Sequence, residues 1–449
     1  MSATDPLVAF ITSTGDDDVP DEAIQAAQRA ILDVVGVGVY GSQHEIGHKI
    51  GSYVARTFGG DEATVFGRDT ASPAGAALAN GTFAHAIDYD DTFESIVIHP
   101  SAPVFSAALA VAESEGATGR ELLTGYLVGV ETAFRIGHST YPAHYDNGWH
   151  ATGTIGTFGA AAGAASVLDL PAEETRHALA VAASSSSALK KNFGSMTKPL
   201  HAGHAAHMGV QAAFLTASGF TGDREILDGE MGYGAVMTPG GEYDPAAVTD
   251  DLGEEWAIHD VGFKPYPSGV ISHAAMDAMA ALVDTHDLEP ADVESITVTL
   301  DGAAEEMLIH SHPENELQAK FSIEFCLAAV LREGTPGVAE FTDEYVTAPE
   351  TRETIQKVKR EFEQNLFGGE FAGYGARVVV ELADGRTLEA EERRAPGSPS
   401  NPISEERLAE KFRDCVGPVL SDDDAETLRE TIQRLDEDGA LDDFLDIVA

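Results

Sequence analysis

The sequence predicts a mainly α protein, with a large all-helical domain and a smaller α+β domain. Three observations predict it. The first half is rich in Ala and Gly and runs as successive segments with apolar residues at helical spacing. β-branched runs are confined to the region after residue 260. The last 45 or so residues return to two or three amphipathic helices. The expected organisation is therefore 1–260 helical, 261–397 α+β, and 398–449 helices returning to the first domain.

The elements follow in order. Ile24, Ala27, Ile31, Val34, Val35 and Gly38 recur at helical spacing after Pro20. Ser72-Pro73 opens AGAALANGTFAHAI, with Ser as N-cap and Pro at the first helical position. Ser101 opens a helix that stops at Gly116. Thr118 with Glu121 forms a capping-box pattern before the next helix. Residues 153–168, 171–187 and 199–218 continue the series. Their small residues suit helices packed closely on several sides. Beyond residue 260, VESITVTL (Val293–Leu300) reads as a strand. ARVVVEL-ADGR-TLEAEE reads as a hairpin around Asp384-Gly385. Asn315–Leu331 and Pro349–Glu363 read as helices, and Ala395–Pro402 as a loop.

The chain has 449 residues, 43% hydrophobic, enough to bury a sizeable core. With 27 basic and 75 acidic residues, its net charge is −48. That excludes a simple nucleic-acid binder, which needs a basic face, and argues against docking on anionic membrane. The acidity is spread through apolar stretches, so the chain is not a disordered acidic tail. It reads as a halophilic cytoplasmic protein; an unusually acidic mesophilic protein is the other reading. Cys326 and Cys415 read as buried thiols, too few to hold an iron–sulfur cluster. MSATDPLVAF lacks a signal-peptide pattern, and no run of 18 uncharged apolar residues predicts a membrane span.

Lysine is scarce, so its placement is informative. Lys190, Lys191, Lys198 and Lys264 are four of only nine, and all lie in segments poor in acidic residues. Such lysines suit binding of an anion, or else snorkel along apolar surface. Nine of the sixteen histidines fall between His85 and His207.

Four segments concentrate this chemistry. In HAIDYDDTFESIVIHPS, His85 and Asp88 are three apart and share a helix face if the helix continues. Asp88, Asp90 and Asp91 follow, then His99. The carboxylates suit acid/base work, helix capping, or a metal site, although no familiar metal-ligand spacing is present. In GWHATGTIGTFGAAAG, His150 precedes a helix start able to hold a carboxylate. In SMTKPLHAGHAAHMG, His201, His204 and His207 step by three and spread around the helix rather than converging. In FKPYPSGVISHAAMD, Lys264 lies in a Pro-rigid turn and His273 follows on a helix.

Together these segments resemble the MmgE/PrpD family. The resemblance rests on NGTFAHAIDYDDT with HPS, GWHATGTIGTFGAA, KPLHAGHAAHMGVQAAFLTASGFTG, KPYPSG with a following His, and AKFSIEFCLA, in that order over about residues 20 to 335. It implies a large helical domain with a smaller α+β lid domain, a homodimer, and no cofactor or metal. It also implies a lyase acting by proton transfer next to a carboxylate, most like 2-methylcitrate dehydratase. An epimerase of an imino- or amino-dicarboxylate such as iminodisuccinate, and a cis-aconitate decarboxylase-like enzyme, are the alternatives within the family. A non-catalytic carboxylate-binding protein is the alternative outside enzymes. The positions carried over are Asp88, Thr92, His99 and His150 as catalytic residues, with Lys198 and Lys264 binding a small di- or tricarboxylate. His273 joins the substrate-binding set. Two positions depart from the decarboxylase pattern: Gly269 stands where that branch has His, and Phe325 where it has Tyr.

Overall fold

The computed structural model describes residues 2–93, 95–240, 242–368 and 374–449. The chain divides into two compact units: Met1–Gly262 with Cys415–Ala449, and Phe263–Asp414. The first is helical and the second α+β, the mainly α class that the sequence predicts.

The first unit is built on the helices Asp21–Gln43, Pro73–Ala84, Ser101–Glu115, Gly119–Thr140, Ala151–Val167 and Thr197–Ala217. Several are apolar on every side. All residues from Gly75 to Ala84 are buried, as are all from Ala151 to Ala165. A helix buried all round needs small residues where backbones cross. A Cβ at Gly203 would lie 2.3 Å from the Leu78 carbonyl oxygen, so only glycine lets Thr197–Ala217 approach Pro73–Ala84 so closely. Gly159 does the same against the Gly129 carbonyl, where a Cβ would lie at 2.8 Å. The Thr118–Glu121 capping box forms, and Gly116 ends its helix in the left-handed conformation. Ser72 takes the N-cap position with no side-chain cap bond. From the C-terminal segment, Asp422–Gln433 packs on Asp21–Gln43, and Phe444 sets its ring edge-on to Phe66 and Phe105.

Three expectations are corrected. The Pro73–Ala84 helix stops at Ala84, so His85 and Asp88 do not share a helix face; Asp88 sits beyond it with φ 57°. The Asn315–Leu331 stretch is two helices, Glu316–Ala319 and Ile323–Glu333, because the Ser322 hydroxyl caps the second. The Pro349–Glu363 stretch is a helix only over Pro349–Ile355. Its remainder, Val358–Glu363, is a strand.

That strand is β2 of a four-stranded sheet in the second unit, with β1 Val293–Asp301, β3 Ala376–Leu382 and β4 Thr387–Glu392. The order is β2-β1-β3-β4. β1 runs parallel to β2 and antiparallel to β3, and Gly385 (φ 87°) turns the β3–β4 hairpin. Ile296, Val298, Leu300, Val378 and Val380 point into a core shared with His273–His286 and Ile323–Glu333.

Candidate active site

The first unit gathers most of the residues picked out in the sequence. The close crossing of Pro73–Ala84 with Thr197–Ala217 sets the turn after Ala84 beside the first turn of the second helix. Asp88 and Lys198 meet there. The Lys198 ammonium donates to Asp88 Oδ2 at 2.5 Å, with both side chains under 10% exposed. Asp88 Oδ1 lies 3.9 Å from His99 Nε2. An aspartate is one of the few residues that tolerates the left-handed backbone required here.

His99 is fixed at two points. Its backbone N–H donates to Thr152 Oγ1 at 3.1 Å, and its Nδ1 donates to the Asp91 carbonyl at 2.8 Å. A carbonyl only accepts, so Nδ1 carries the proton and Nε2, facing Asp88, is the nitrogen left for exchange. Below it, the Asp91 carboxyl takes the Ser101 hydroxyl, which lies 2.5 Å from the Tyr126 hydroxyl. Burial, then the charge of Asp33, raises the pKa of Asp91 well above the carboxylate range. Thr92 donates its hydroxyl to the Ile98 carbonyl at 3.3 Å and pairs through its backbone with Gly262. It shapes the loop between Asp88 and His99.

His150 caps the Ala151–Val167 helix by position, and its Nδ1 lies 3.0 Å from His201 Nδ1. Burial, then the Lys198 charge, lowers the pKa of His150 well below the usual value. Burial, then the charge of His85, lowers His201 to about 4. Both rings are therefore neutral at pH 7, and one donates to the other. His207 donates to the Ala74 carbonyl, so the histidines of that helix serve different neighbours. Of the anion-binding lysines expected from the sequence, Lys191 is exposed. Lys190 donates to the Tyr145 carbonyl with its ammonium 3.6 Å from that ring centroid.

Two pairs were not apparent in the sequence. One is His150 with His201. The other is His85 with Asp90, where Nδ1 lies 2.8 and 2.9 Å from the two carboxylate oxygens and both side chains are fully buried. His85, Asp88, Asp90 and His99 each bring one nitrogen or oxygen within 4.8 Å of the others. That is a donor set a divalent cation accepts. Here, however, Asp88 is committed to the Lys198 ammonium and Asp90 to His85, and an ammonium on a carboxylate opposes a cation at the same atom. The arrangement suits proton transfer beside an anion.

In the second unit, Lys264 and His273 are both buried. His273 Nε2 donates to the Ser268 carbonyl at 3.2 Å, bracing the Pro-rich turn that carries Lys264. Gly269 donates to the Lys320 carbonyl, and Phe321 is the ring beside it. Phe325 is fully buried, with its ring edge-on to Phe341 and Tyr345.

The MmgE/PrpD N-terminal domain model matches residues 5–246, and the MmgE/PrpD C-terminal domain model matches residues 266–437. The chain belongs to the MmgE/PrpD family. Among curated MmgE/PrpD relatives, cis-aconitate decarboxylase of Homo sapiens is 31% identical, covering 93% of this chain and 88% of its own. The Mus musculus enzyme of that name is 30% identical, covering 97% and 91%. Cis-aconitate decarboxylase of Aspergillus terreus is 24% identical, covering 96% and 93%.

The neutral buried imidazoles give a testable pH dependence. From an ordinary 6.5, His144 and His201 are each lowered to about 4, and His150 is also lowered well below it. A lowered base stabilises the fold above its unfolded pKa, and that stability is lost as pH falls towards the folded one. The melting temperature in molar KCl is expected to drop between pH 6.5 and about 4. Calorimetry showing a constant melting temperature across that window would mean these rings are charged in the folded protein.

Proposed function

We propose that this MmgE/PrpD enzyme is a lyase that transfers a proton next to a carboxylate of an aconitate- or citrate-class acid. The lyase reading is supported by relatives named cis-aconitate decarboxylase. The single observation that carries the chemistry is Asp88 held between the Lys198 ammonium and His99 Nε2. A carbon acid beside a carboxylate is weak, so the charge that develops on it needs a fixed cation nearby, and Lys198 supplies one. Asp88 and His99 do the acid/base work. Thr92 holds the intervening loop, and neutral His150 donates to a substrate carboxylate. Lys264 and His273 are assigned to substrate binding. The enzyme needs no cofactor, works as a homodimer, and is cytoplasmic.

Two reactions fit this machinery. Decarboxylation of cis-aconitate is favoured by relatives of that name at 30–31% identity over more than nine-tenths of this chain. There the bond to one carboxylate breaks, carbon dioxide leaves, and its electron pair moves along the conjugated chain to a carbon that takes one proton. Dehydration of 2-methylcitrate is favoured by Gly269, which places no acid/base group at a position where the decarboxylase branch has one. There one group takes a carbon-bound proton and another protonates the departing hydroxyl. Proton NMR of each acid with the protein in molar KCl and deuterated water separates them. A new terminal-methylene signal with carbon dioxide release marks the first reaction, and conversion of the methyl doublet to a downfield allylic methyl singlet marks the second. Exchange of the proton next to a carboxylate without elimination would point to an epimerase. No change in any acid would remove the lyase reading.

The charge of −48 also supports a halophilic setting. Acidic side chains repel one another in dilute buffer, and at 1 M salt the screening length falls to about 3 Å. The melting temperature is expected to rise steadily from 0.1 to 3 M KCl. A flat profile would assign the acidity another cause.

A further inference from the structure

The mechanism above uses His99 and leaves the second carboxylate-anchored imidazole unexplained. His85 has its Nδ1 edge on both oxygens of Asp90. Its other ring nitrogen, Nε2, is fully buried and has no hydrogen-bond partner among the described residues. A buried polar atom left unpaired destabilises the fold, so a folded protein keeps one where something else is served. The ring lies against the site: its centroid is 4.6 Å from that of His99 and 5.8 Å from that of His150, nearly parallel to the latter. Around it stand Asp90, Asp88, His99, His150, His201 and Lys198.

These neighbours divide the labour. His150 and His201 bond each other and are held neutral by burial, so neither is suited to carry a proton. That leaves two imidazoles: His99, with Nδ1 on the Asp91 carbonyl and Nε2 facing Asp88, and His85, with Nδ1 on the Asp90 carboxylate. A carboxylate behind an imidazole fixes its tautomer and steadies the positive charge it takes on. Elimination needs a proton taken from one atom and a proton delivered to another, which one imidazole cannot face at once, and decarboxylation needs one proton delivered to carbon.

We propose that His85 is a further acid/base residue of this site, its Nε2 exchanging one proton with the bound acid while Nδ1 stays on Asp90. The inference rests on the proton-transfer reading above. In decarboxylation, Nε2–H gives its proton to the carbon that receives the electron pair, and solvent restores it. In dehydration, Nε2 takes the carbon-bound proton while His99 protonates the hydroxyl, so that water leaves.

The test is a pair of variants. His85→Asn puts its amide nitrogen where Nδ1 stood, keeping the donor to Asp90, and removes Nε2. It is expected to fold, to keep KM within about threefold, and to lose about 100-fold or more in kcat. One limb of the kcat pH profile should vanish with it. His85→Gln restores an uncharged donor near the Nε2 position and should not restore kcat. A His85→Asn protein with kcat within threefold of the parent overturns the proposal while leaving the lyase reading intact. An inert parent protein removes the lyase reading instead. A second measurement covers that case and a variant that fails to fold. In the long-range proton–nitrogen spectrum of the full-length parent protein, the His85 Nε2 resonance should move when tricarballylate, an inert saturated tricarboxylate, is added. Movement of the His150 signals with none at His85 overturns the proposal.

Discussion

His99→Asn is expected to lower kcat by about 10³, within the 10²–10⁴ range typical for loss of a positioned acid/base group, with little change in fold. His99 sits at the entrance to the Ser101–Glu115 helix, where its backbone N–H is held by Thr152 and its Nδ1 by the Asp91 carbonyl. Asparagine puts its amide nitrogen where Nδ1 stood and keeps one donor for that carbonyl, so the loop has reason to persist. It cannot exchange a proton at neutral pH. KM should change by less than about threefold, because the Lys198 ammonium is untouched, and a loss confined to kcat marks an interaction made in the transition state. The measurement is initial rates by NMR or ultraviolet absorbance across pH 5.5–8.5 in molar KCl. A variant with kcat within threefold of the parent would remove His99 from the proton path and leave His85 and Asp88 to account for it.

Helix starts and stops were legible because local chemistry marks them. The Thr118–Glu121 box, the Gly116 stop and the Asp384-Gly385 turn each act within four residues of chain. The Val358–Glu363 strand was not legible. VKREFE alternates Val and Phe with charged residues, and after a Pro-opened helix such charges read as a continued solvated face. The strand sits at the sheet edge, where Lys, Arg and Glu are tolerated and discourage further pairing. The site shows the same division. Asp88, His99 and Lys198 were legible as types in uncommon surroundings, though not as partners. His85 was paired with Asp88 on the assumption of a continuing helix. The helix stops at Ala84, the chain turns, and Asp90 is the carboxylate that reaches it. His150 and His201 are 51 residues apart, and only the packing of their two helices brings the nitrogens together.

Lys198→Met separates two roles that the parent lysine combines. Methionine keeps much of the side chain's volume and removes the cation. Asp88, 5% exposed, then loses its ammonium partner, and removing one member of a buried ion pair typically costs about 3–5 kcal/mol. The melting temperature should fall clearly, and substrate turnover should drop by at least 100-fold because the developing negative charge loses its nearest cation. A second substitution tells these effects apart. Asp88→Asn added to Lys198→Met leaves no buried charge at that position, so the double variant should regain most of the lost stability and none of the lost activity. The coupling in such a cycle reads the pair itself, provided neither single change creates new contacts. If the double variant is no more stable than Lys198→Met alone, Asp88 is not charged in the folded protein. The lysine then holds the helix start rather than the carboxylate. If it regains activity as well as stability, the cation is dispensable for chemistry and the charge that Lys198 was taken to stabilise must be met elsewhere.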